Sequence, residues 1–555
     1  MNTATYATVL KAAMTTDGRR IFISAGPTIP PALAEFILSM PACVKGRQPG
    51  TWTCQPTPAA AWRLLHERGD WAVKAGSQVE ALAASFKVDP ATDETQPRMY
   101  NKRSWRHQAL GYNFAYGRPA TMFAMGMGTG KSKPAVDLAV NWGCRLTLVL
   151  CPKSVLGVWR REFEQWAAVA ANVCILDKGT TAKKRDIAAG HLMLCEHLRQ
   201  PAVVVTNYDS VWREPFGKWS VNVPWDLVIC DESHRIKAHN SQVSKHAAKL
   251  GAVAARRLCL TGTPMPHSPL DLFGQFRFLD PGIFGTSWHW FSHRYARHDN
   301  PHVPQMVTSY ANQDELQRRM AWITYRVGNE VLDLPEVTHN VLACQLSPAA
   351  MKNYRDLEDE MITEVQAGVV TVANALVRLL RLQQVTSGFL QADDAEIPTE
   401  IDTAKRDVLS DLLEDIGKDE AVVVFCNFRH DLAAIAAVAK KLGRTYGEVS
   451  GARKDLTSHA TMPDGVQVMG VQVRAGGLGI DLTRARYAVY YNHPWSLGDY
   501  EQSVARVHRP GQTRHTFYYH LVAENTVDEH VQRSLEKKRD AVESILSIFK
   551  QGGEV

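Results

Sequence analysis

Short runs of β-branched and aliphatic residues recur along this chain, separated by longer stretches with helical spacing. Leu146–Leu150, Ala202–Val205, Leu227–Cys230 and Arg257–Leu260 form one series, and Ala421–Phe425, Val466–Met469 and Tyr487–Tyr491 form a second. Runs that are apolar at almost every position, rather than alternating, are the pattern of strands buried on both faces. They predict an α/β fold with two doubly wound parallel-sheet lobes. Between the two series, over 286–400, the chain turns aromatic-rich and then helical, most clearly at Val372–Gln383, which predicts a helical bridging or inserted region.

Ahead of the first series the elements are shorter. A strand at Ile21–Ser24, a helix from Pro31 to Met40, a hairpin ending at Trp52–Cys54 and a helix near Ala59–Leu65 predict a small α/β module. The polar, proline-bounded stretch 89–97 has the composition of a linker. At 555 residues the chain exceeds a single core, and a prior of about 150 residues per domain suggests three or four units. The expected division is 1–95 (accessory module and linker), 96–285 (first lobe), 286–400 (bridging region) and 401–555 (second lobe).

Composition narrows the class. Hydrophobic content of 45% excludes a disordered or fibrous chain. A net charge of +6 permits a polyanionic partner without demonstrating one. Ten cysteines, several inside apolar runs and none in a Cys-x-x-Cys pair, read as buried free thiols. That usage argues against zinc knuckles and secreted disulfide frameworks, and fits a reducing compartment. Residues 1–20 carry Lys11, Asp17, Arg19 and Arg20 with no apolar core of a signal peptide. With no run near the roughly 18 apolar residues that span a bilayer, the expectation is a cytoplasmic protein that does not engage a membrane.

Candidate chemistry sits at strand ends, where ligands bind in open α/β sheets. The turn Gly126-Met127-Gly128-Thr129-Gly130-Lys131-Ser132 is built to hold phosphates: glycines let backbone N–H groups converge, Lys131 supplies a charge, and the Ser132 hydroxyl can ligate magnesium. A glycine is expected where Met125 stands. About 100 residues on, Asp231 and Glu232 follow an apolar run; in an NTPase the first would hold magnesium and the second polarise water. Thr261 and Thr263, in Leu260-Thr-Gly-Thr-Pro264, could couple the nucleotide site to a moving element. In the second lobe, Arg506 and Arg509 lie three apart, so on a helix they share a face and could reach a γ-phosphate.

In order, these strings resemble the superfamily-two helicase-like ATPases of the Swi/Snf DNA-translocase type. Met125–Ser132 resembles motif I, Leu150–Leu156 with Trp159–Trp166 motif Ia, Asp231–Lys237 motif II, and Leu260–Pro264 motif III. Val424–Arg429 resembles motif IV, Arg474–Leu482 motif V, and Gln502–Gln512, ending His508-Arg-Pro-Gly-Gln512, motif VI. The last string, with the tail Phe517–Ala523, favours the Swi/Snf type, and the likeness runs from about residue 100 to 540. The resemblance implies two RecA-like lobes, ATP and magnesium as cofactors, and a nucleic-acid-stimulated ATPase. Catalytic roles fall on Lys131, Asp231, Glu232, Arg506 and Arg509, magnesium on Ser132 and Asp231, and coupling on Thr261, Thr263 and Gln502. Nucleotide contacts fall on residues 126–132, on Gly479 and Asp481, and on Trp105 and Gln108 at the adenine. Contacts to nucleic acid fall on Lys153, Ser154, Asn207, Tyr208, Asn427, Arg429 and Arg474.

Four positions depart from the family's pattern. Acidic residues are usual where Met125 and Gly126 stand, Ala where Ser233 stands, and often Asn where Asp481 stands. None removes a catalytic group. The expected partner is duplex or branched DNA, bound without sequence preference and ahead of RNA, by a monomer in a bacterial or phage-infected cell. The first 75 or so residues loosely resemble the HepA-related module of annealing helicases, which implies recognition of forked or branched DNA; the alternative is a small domain that serves only to pack against the first lobe. A strand-separating DNA or RNA helicase and a non-catalytic nucleic-acid-binding scaffold are the alternatives, the second already at odds with intact Lys131, Asp231 and Glu232.

Overall fold

Burial on both faces decides the architecture: the apolar runs become parallel strands covered by helices. The structure, a computed structural model, describes residues 8–26, 28–67, 71–266, 268–298, 307–366, 372–391, 398–476 and 479–537. Gly477 and Leu478 of the string Arg474–Leu482 lie outside the described residues. The chain divides into two compact units, Met1–Val331 and Leu332–Val555, which share the stretch 286–400 between them.

The larger sheet of the first unit has seven parallel strands, in the order Thr324–Val327, Ala120–Met125, Arg256–Thr261, Leu227–Asp231, Leu146–Cys151, Ala202–Asn207 and Asn172–Ile175. Ala120–Met125 and Ala202–Asn207 are buried at every position. The α/β expectation with two parallel-sheet lobes therefore holds, and the strand Ala120–Met125, absent from the apolar runs noted above, lies inside the sheet.

The smaller sheet of this unit runs Val44–Lys45, Thr51–Cys54, Ile21–Ser24, Thr8–Met14, Trp71–Ala75. Thr8–Met14 and Trp71–Ala75 pair in parallel, the other neighbours antiparallel. Helices Pro31–Leu38, Pro58–His66 and Ser77–Ala84 complete the module. Polar groups fasten it to the larger sheet's domain: the Asp280 carboxylate accepts from Ala59 N at 3.2 Å, and Arg63 donates to the Gly282 carbonyl at 2.9 Å. Arg319 and Glu67 add an ion pair at 2.9 Å.

The second unit has six parallel strands, in the order Val337–Cys344, Thr516–Ala523, Tyr487–Tyr490, Val422–Cys426, Val468–Gln472, Tyr446–Val449. Helices Pro348–Gln366 and Val372–Thr386 pack with Val527–Glu536 around Leu379, Leu382, Val531 and Leu535. All ten cysteines are unpaired, eight of them buried. Among the described residues no helix is long and apolar enough to cross a membrane.

Three imidazoles form a hydrogen-bonded row in the second unit. His339 Nδ1 lies 3.0 Å from His520 Nε2, and His520 Nδ1 lies 2.8 Å from His493 Nε2. Burial, with Lys405 adding to it, pushes His493 down to about 3 from an ordinary 6.5, and His520 falls well below its usual value for the same reason. A depressed histidine contributes stability that is complete above 6.5 and is lost as pH falls toward the folded value, because the unfolded chain takes up the proton first. Asp231 and Asp431, raised by burial to about 7, slope the opposite way over part of this range. A comparison with His493→Gln isolates the histidine: urea midpoints across pH 4–6 should show a slope smaller by about 1.4 kcal/mol per pH unit in the variant. Equal slopes would mean that His493 is protonated in the folded protein.

Candidate active site

Parallel register aligns strand ends. Asp231 pairs with Leu260, Thr261 with Ala124, and Val327 with Met125, so the glycine-rich turn, the two carboxylates and the Thr-Gly-Thr turn meet at one edge of the first sheet.

The turn after Met125 depends on Gly128 and Gly130, at φ 81° and 72°, a region that side-chain-bearing residues rarely adopt. Thr129 is turned inward: its hydroxyl donates to the Gly126 carbonyl at 2.6 Å. The Thr129 carbonyl accepts from His107 Nε2 at 2.8 Å and from Gln108 Nε2 at 3.1 Å. Gln108 Oε1 accepts from Trp105 N at 3.0 Å, so the amide expected to read adenine also braces the phosphate turn from behind. Trp105 stands half-exposed beside it. Lys131 precedes the helix Ser132–Asn141, and the Ser132 hydroxyl donates to Glu162 at 2.6 Å. Met127 lies against Gly262, bringing the phosphate turn to the Thr-Gly-Thr turn.

Asp231 is ringed by donors. Its Oδ2 accepts from Trp159 Nε1 and its Oδ1 from Glu232 N, both at 3.0 Å, while its carbonyl accepts from Tyr208 Oη at 2.7 Å. Burial, reinforced by Glu232 and opposed by Lys131, still lifts its carboxyl to about 7. Glu232 adopts φ 50°, ψ 54°, strain of order 1–3 kcal/mol for a residue with a side chain. Its buried Oε2 has no hydrogen-bond partner and stands 3.5 Å from His234 Nδ1, whose ring burial holds below its usual value. A hydroxyl, a destabilised carboxylate and an orphaned carboxylate oxygen are the kinds of oxygen donor that would suit a magnesium ion and a polarised water. Thr261, fully buried, accepts from Thr263 N at 3.1 Å, which fixes the neighbouring turn.

The residues expected to touch nucleic acid separate into two groups. Lys153 and Ser154 are exposed on the short turn after Leu146–Cys151, and Arg429 and Arg474 are exposed in the second unit. Asn207, Tyr208 and Asn427 face inward instead. Asn207 caps the helix Tyr208–Val211, accepting from Ser210 N at 3.0 Å. Tyr208 is buried beneath Asp231. Asn427 donates to the His493 carbonyl at 2.7 Å and to Gln383 Oε1 at 3.0 Å. Each follows a strand end, but its polar atoms are taken up by the protein's own turns.

In the second unit Gly479 takes φ 78°, and Asp481 accepts from Thr483 N at 2.9 Å and Thr483 Oγ1 at 2.7 Å. Gln502 is buried on the helix Leu497–Val507. That helix corrects one expectation: it ends before Arg509, with His508 at φ −98°, ψ 88°. Pro510 disfavours helical backbone at the residue before it, so Arg506 and Arg509 do not share a helical face. The Asp481 turn gathers them instead: Leu482 N donates to the Arg506 carbonyl at 3.0 Å, and Arg509 Nη1 to the Ile480 carbonyl at 3.4 Å.

Several positioning side chains went unassigned in the sequence. Trp159, Glu162 and Gln275 support the first site, and Gln512 holds the turn after Arg509 by donating to the carbonyls of Thr483 at 3.0 Å and Ala485 at 2.9 Å. Gln275 carried a signal, an amide inside the otherwise apolar stretch Leu272–Phe276, whereas Glu162 and Gln512 lie in charged stretches that mark neither out.

The SNF2-related domain matches residues 55–388, and the helicase conserved C-terminal domain matches residues 404–511. Protein p41 of Acyrthosiphon pisum secondary endosymbiont phage 1 is similar at 25% identity over 479 residues, covering 82% of this chain and 100% of the phage protein. The human DNA repair and recombination protein RAD54B is similar at 23% identity over 506 residues, covering 78% of this chain. This chain spans about half of it, 54%. A solved Sulfolobus solfataricus SWI2/SNF2 ATPase core in complex with dsDNA is similar at 19% identity, covering 83% of this chain and 96% of that one, with a TM-score of 0.39.

The inward Tyr208 generates a test. Tyr208→Phe removes a buried hydrogen bond to Asp231, at a cost of about 1 kcal/mol, and should slow ATP turnover while leaving DNA affinity intact. Steady-state turnover and fluorescence anisotropy on labelled duplex separate the two. Lost affinity with unchanged turnover would return Tyr208 to the nucleic-acid side.

Proposed function

The chain belongs to the SNF2-related family of helicase-like ATPases, and from that premise we propose that it is an ATP- and magnesium-dependent translocase that moves along, or remodels, duplex or branched DNA. The observation that carries this reading is the convergence of Lys131, Asp231 and Glu232 at one sheet edge. Lys153 and Ser154 stand exposed after Leu146–Cys151, the strand beside Leu227–Asp231 at that same edge. A phosphate-handling site and a cationic, hydroxyl-bearing turn thus follow neighbouring strands. Relatives named for DNA repair and recombination support DNA ahead of RNA.

The residues divide the work. Backbone N–H groups of the glycine-rich turn and the Lys131 ammonium receive the phosphates, Trp105 and Gln108 flank the base, and Ser132 and Asp231 present oxygens to the metal. Magnesium, when bound, neutralises phosphate oxygens and orients the γ-phosphoryl group. Glu232 polarises the attacking water, and Arg506 and Arg509 supply cations for charge developing on the transferred group. Lys153, Ser154, Arg429 and Arg474 contact backbone phosphates, which gives affinity without sequence preference.

Turnover measured side by side with duplex, single-stranded and forked DNA and with RNA tests the assignment. Duplex or forked DNA should stimulate the parent protein, and Lys131→Ala should abolish the activity. Glu232→Gln should lower turnover about 10²–10⁴-fold while ATP still binds. Stimulation by RNA alone, or full turnover in Lys131→Ala, would overturn it. A triplex-displacement assay beside a strand-separation assay distinguishes translocation from unwinding.

A further inference from the structure

Gln275 is fully buried on the helix Leu272–Leu279, whose Phe273, Phe276 and Phe278 are fully buried as well. An amide in such surroundings is costly unless its donors and acceptor are all engaged. Here they are. Oε1 accepts from the Ser233 hydroxyl at 2.7 Å, and Nε2 donates to the Pro264 carbonyl at 2.7 Å and the Asp271 carbonyl at 3.0 Å. Ser233 is the residue after Glu232, and Pro264 the residue after Thr263. One side chain therefore spans from the carboxylate turn to the Thr-Gly-Thr turn.

The backbone beside it is equally close. A Cβ on Gly274 would lie 2.0 Å from the Ile236 carbonyl oxygen and 2.8 Å from that of Lys237, so the helix rests directly on the turn Ser233–Ile236. Lys237 and Asp271 add an ion pair at 3.4 Å across the same contact. A shift of the carboxylate turn cannot occur without either carrying Gln275 or breaking its bond to Ser233.

We propose that Gln275 is a positioning residue that couples the Asp231–Glu232 turn to the Thr261–Pro264 turn, so that the state of the nucleotide reaches the nucleic-acid-engaging parts of the first unit through the Ser233–Gln275–Pro264 link. The proposal rests on the ATPase reading above and deepens it. Packing alone does not call for glutamine here, since a buried polar pair replaced on both sides by apolar groups is often near neutral in stability.

A double-mutant cycle on the full chain tests it, with Ser233→Ala, Gln275→Leu and the two combined. Gln275→Leu strands the Ser233 hydroxyl and the Pro264 carbonyl. It should lower the ratio of DNA-stimulated to basal turnover about tenfold, with the KM for ATP moving less than about threefold. Ser233→Ala, which keeps the bond to Pro264, should lower the ratio less. The double variant should regain part of the thermal stability, since the hydroxyl is gone though the Pro264 carbonyl stays stranded, without regaining any of the ratio, a split that a merely structural role would not produce. The proposal is overturned if Gln275→Leu keeps the parent's ratio, or if ratio and stability fall together and recover together in the double variant. A parent chain that DNA does not stimulate overturns the DNA reading itself and is recognised before any variant is made.

Discussion

Two adjacent carboxylates held out of water repel each other, and the first unit is arranged around that repulsion. Asp231 ends a strand whose preceding residues are buried, and Glu232 follows it in a left-handed turn. The Trp159 indole and the Glu232 amide donate to the Asp231 carboxylate, Tyr208 donates to its carbonyl, and Lys131 contributes positive charge. These do not cancel the cost, since the carboxyl remains near 7. A divalent cation arriving with a nucleotide would relieve the repulsion at a place where few water dipoles screen it, so binding there and the geometry of the neighbouring turns are energetically joined.

The turns of the first unit are tied together by buried amides as well as by the Lys237–Asp271 ion pair. Gln108 joins the phosphate turn to the backbone of Trp105, and Gln275 joins the carboxylate turn to the Thr-Gly-Thr turn. In the second unit Gln512 donates to Thr483 and Ala485 and accepts from Thr513 N and Arg514 N, both at 3.1 Å. A glutamine offers two donors and an acceptor at the end of a short neutral stem, so it can fix two backbone segments without burying charge. Such links have discrete arrangements, made or broken.

Seven of the thirteen strands in the two parallel sheets were legible, because fully buried parallel strands need apolar side chains at nearly every position, and Leu227–Cys230 or Ala421–Phe425 carry little else. Ala120–Met125 escaped that reading: its Ala-Thr-Met-Phe-Ala-Met sequence has a single β-branched residue, and its place in the sheet follows from pairing with Arg256–Thr261 and Thr324–Val327, which no local pattern encodes. Thr8–Met14 and Trp71–Ala75, whose paired residues Val9 and Ala72 lie 63 positions apart, were missed for the same reason. Residue type and order singled out Lys131, Asp231 and Glu232, on turns that the parallel register brings to one sheet edge. Tyr208 and Asn427 were placed outward by their position after strands, whereas the direction of a side chain at a strand end is settled by which backbone atoms nearby lack partners.

The departures from the family pattern are resolved in the same local terms. Met125 is the last residue of a wholly buried strand and pairs with Val327, so no flexible glycine is needed there, and an acidic side chain would carry an unpaired charge into the sheet. The next position differs: a Cβ on Gly126 would fall 1.9 Å from Asn329 Oδ1 and 3.2 Å from Asn329 N, so a side chain there would displace the Asn329 amide. Ser233 brings a hydroxyl that Gln275 accepts, and neither group would be satisfied if only one of them were present. Asp481 serves as an acceptor for Thr483, a task an asparagine carbonyl performs equally well. Each departure thus meets a contact within its own unit: Val327 and Asn329 for the first two, Gln275 for Ser233 and Thr483 for Asp481.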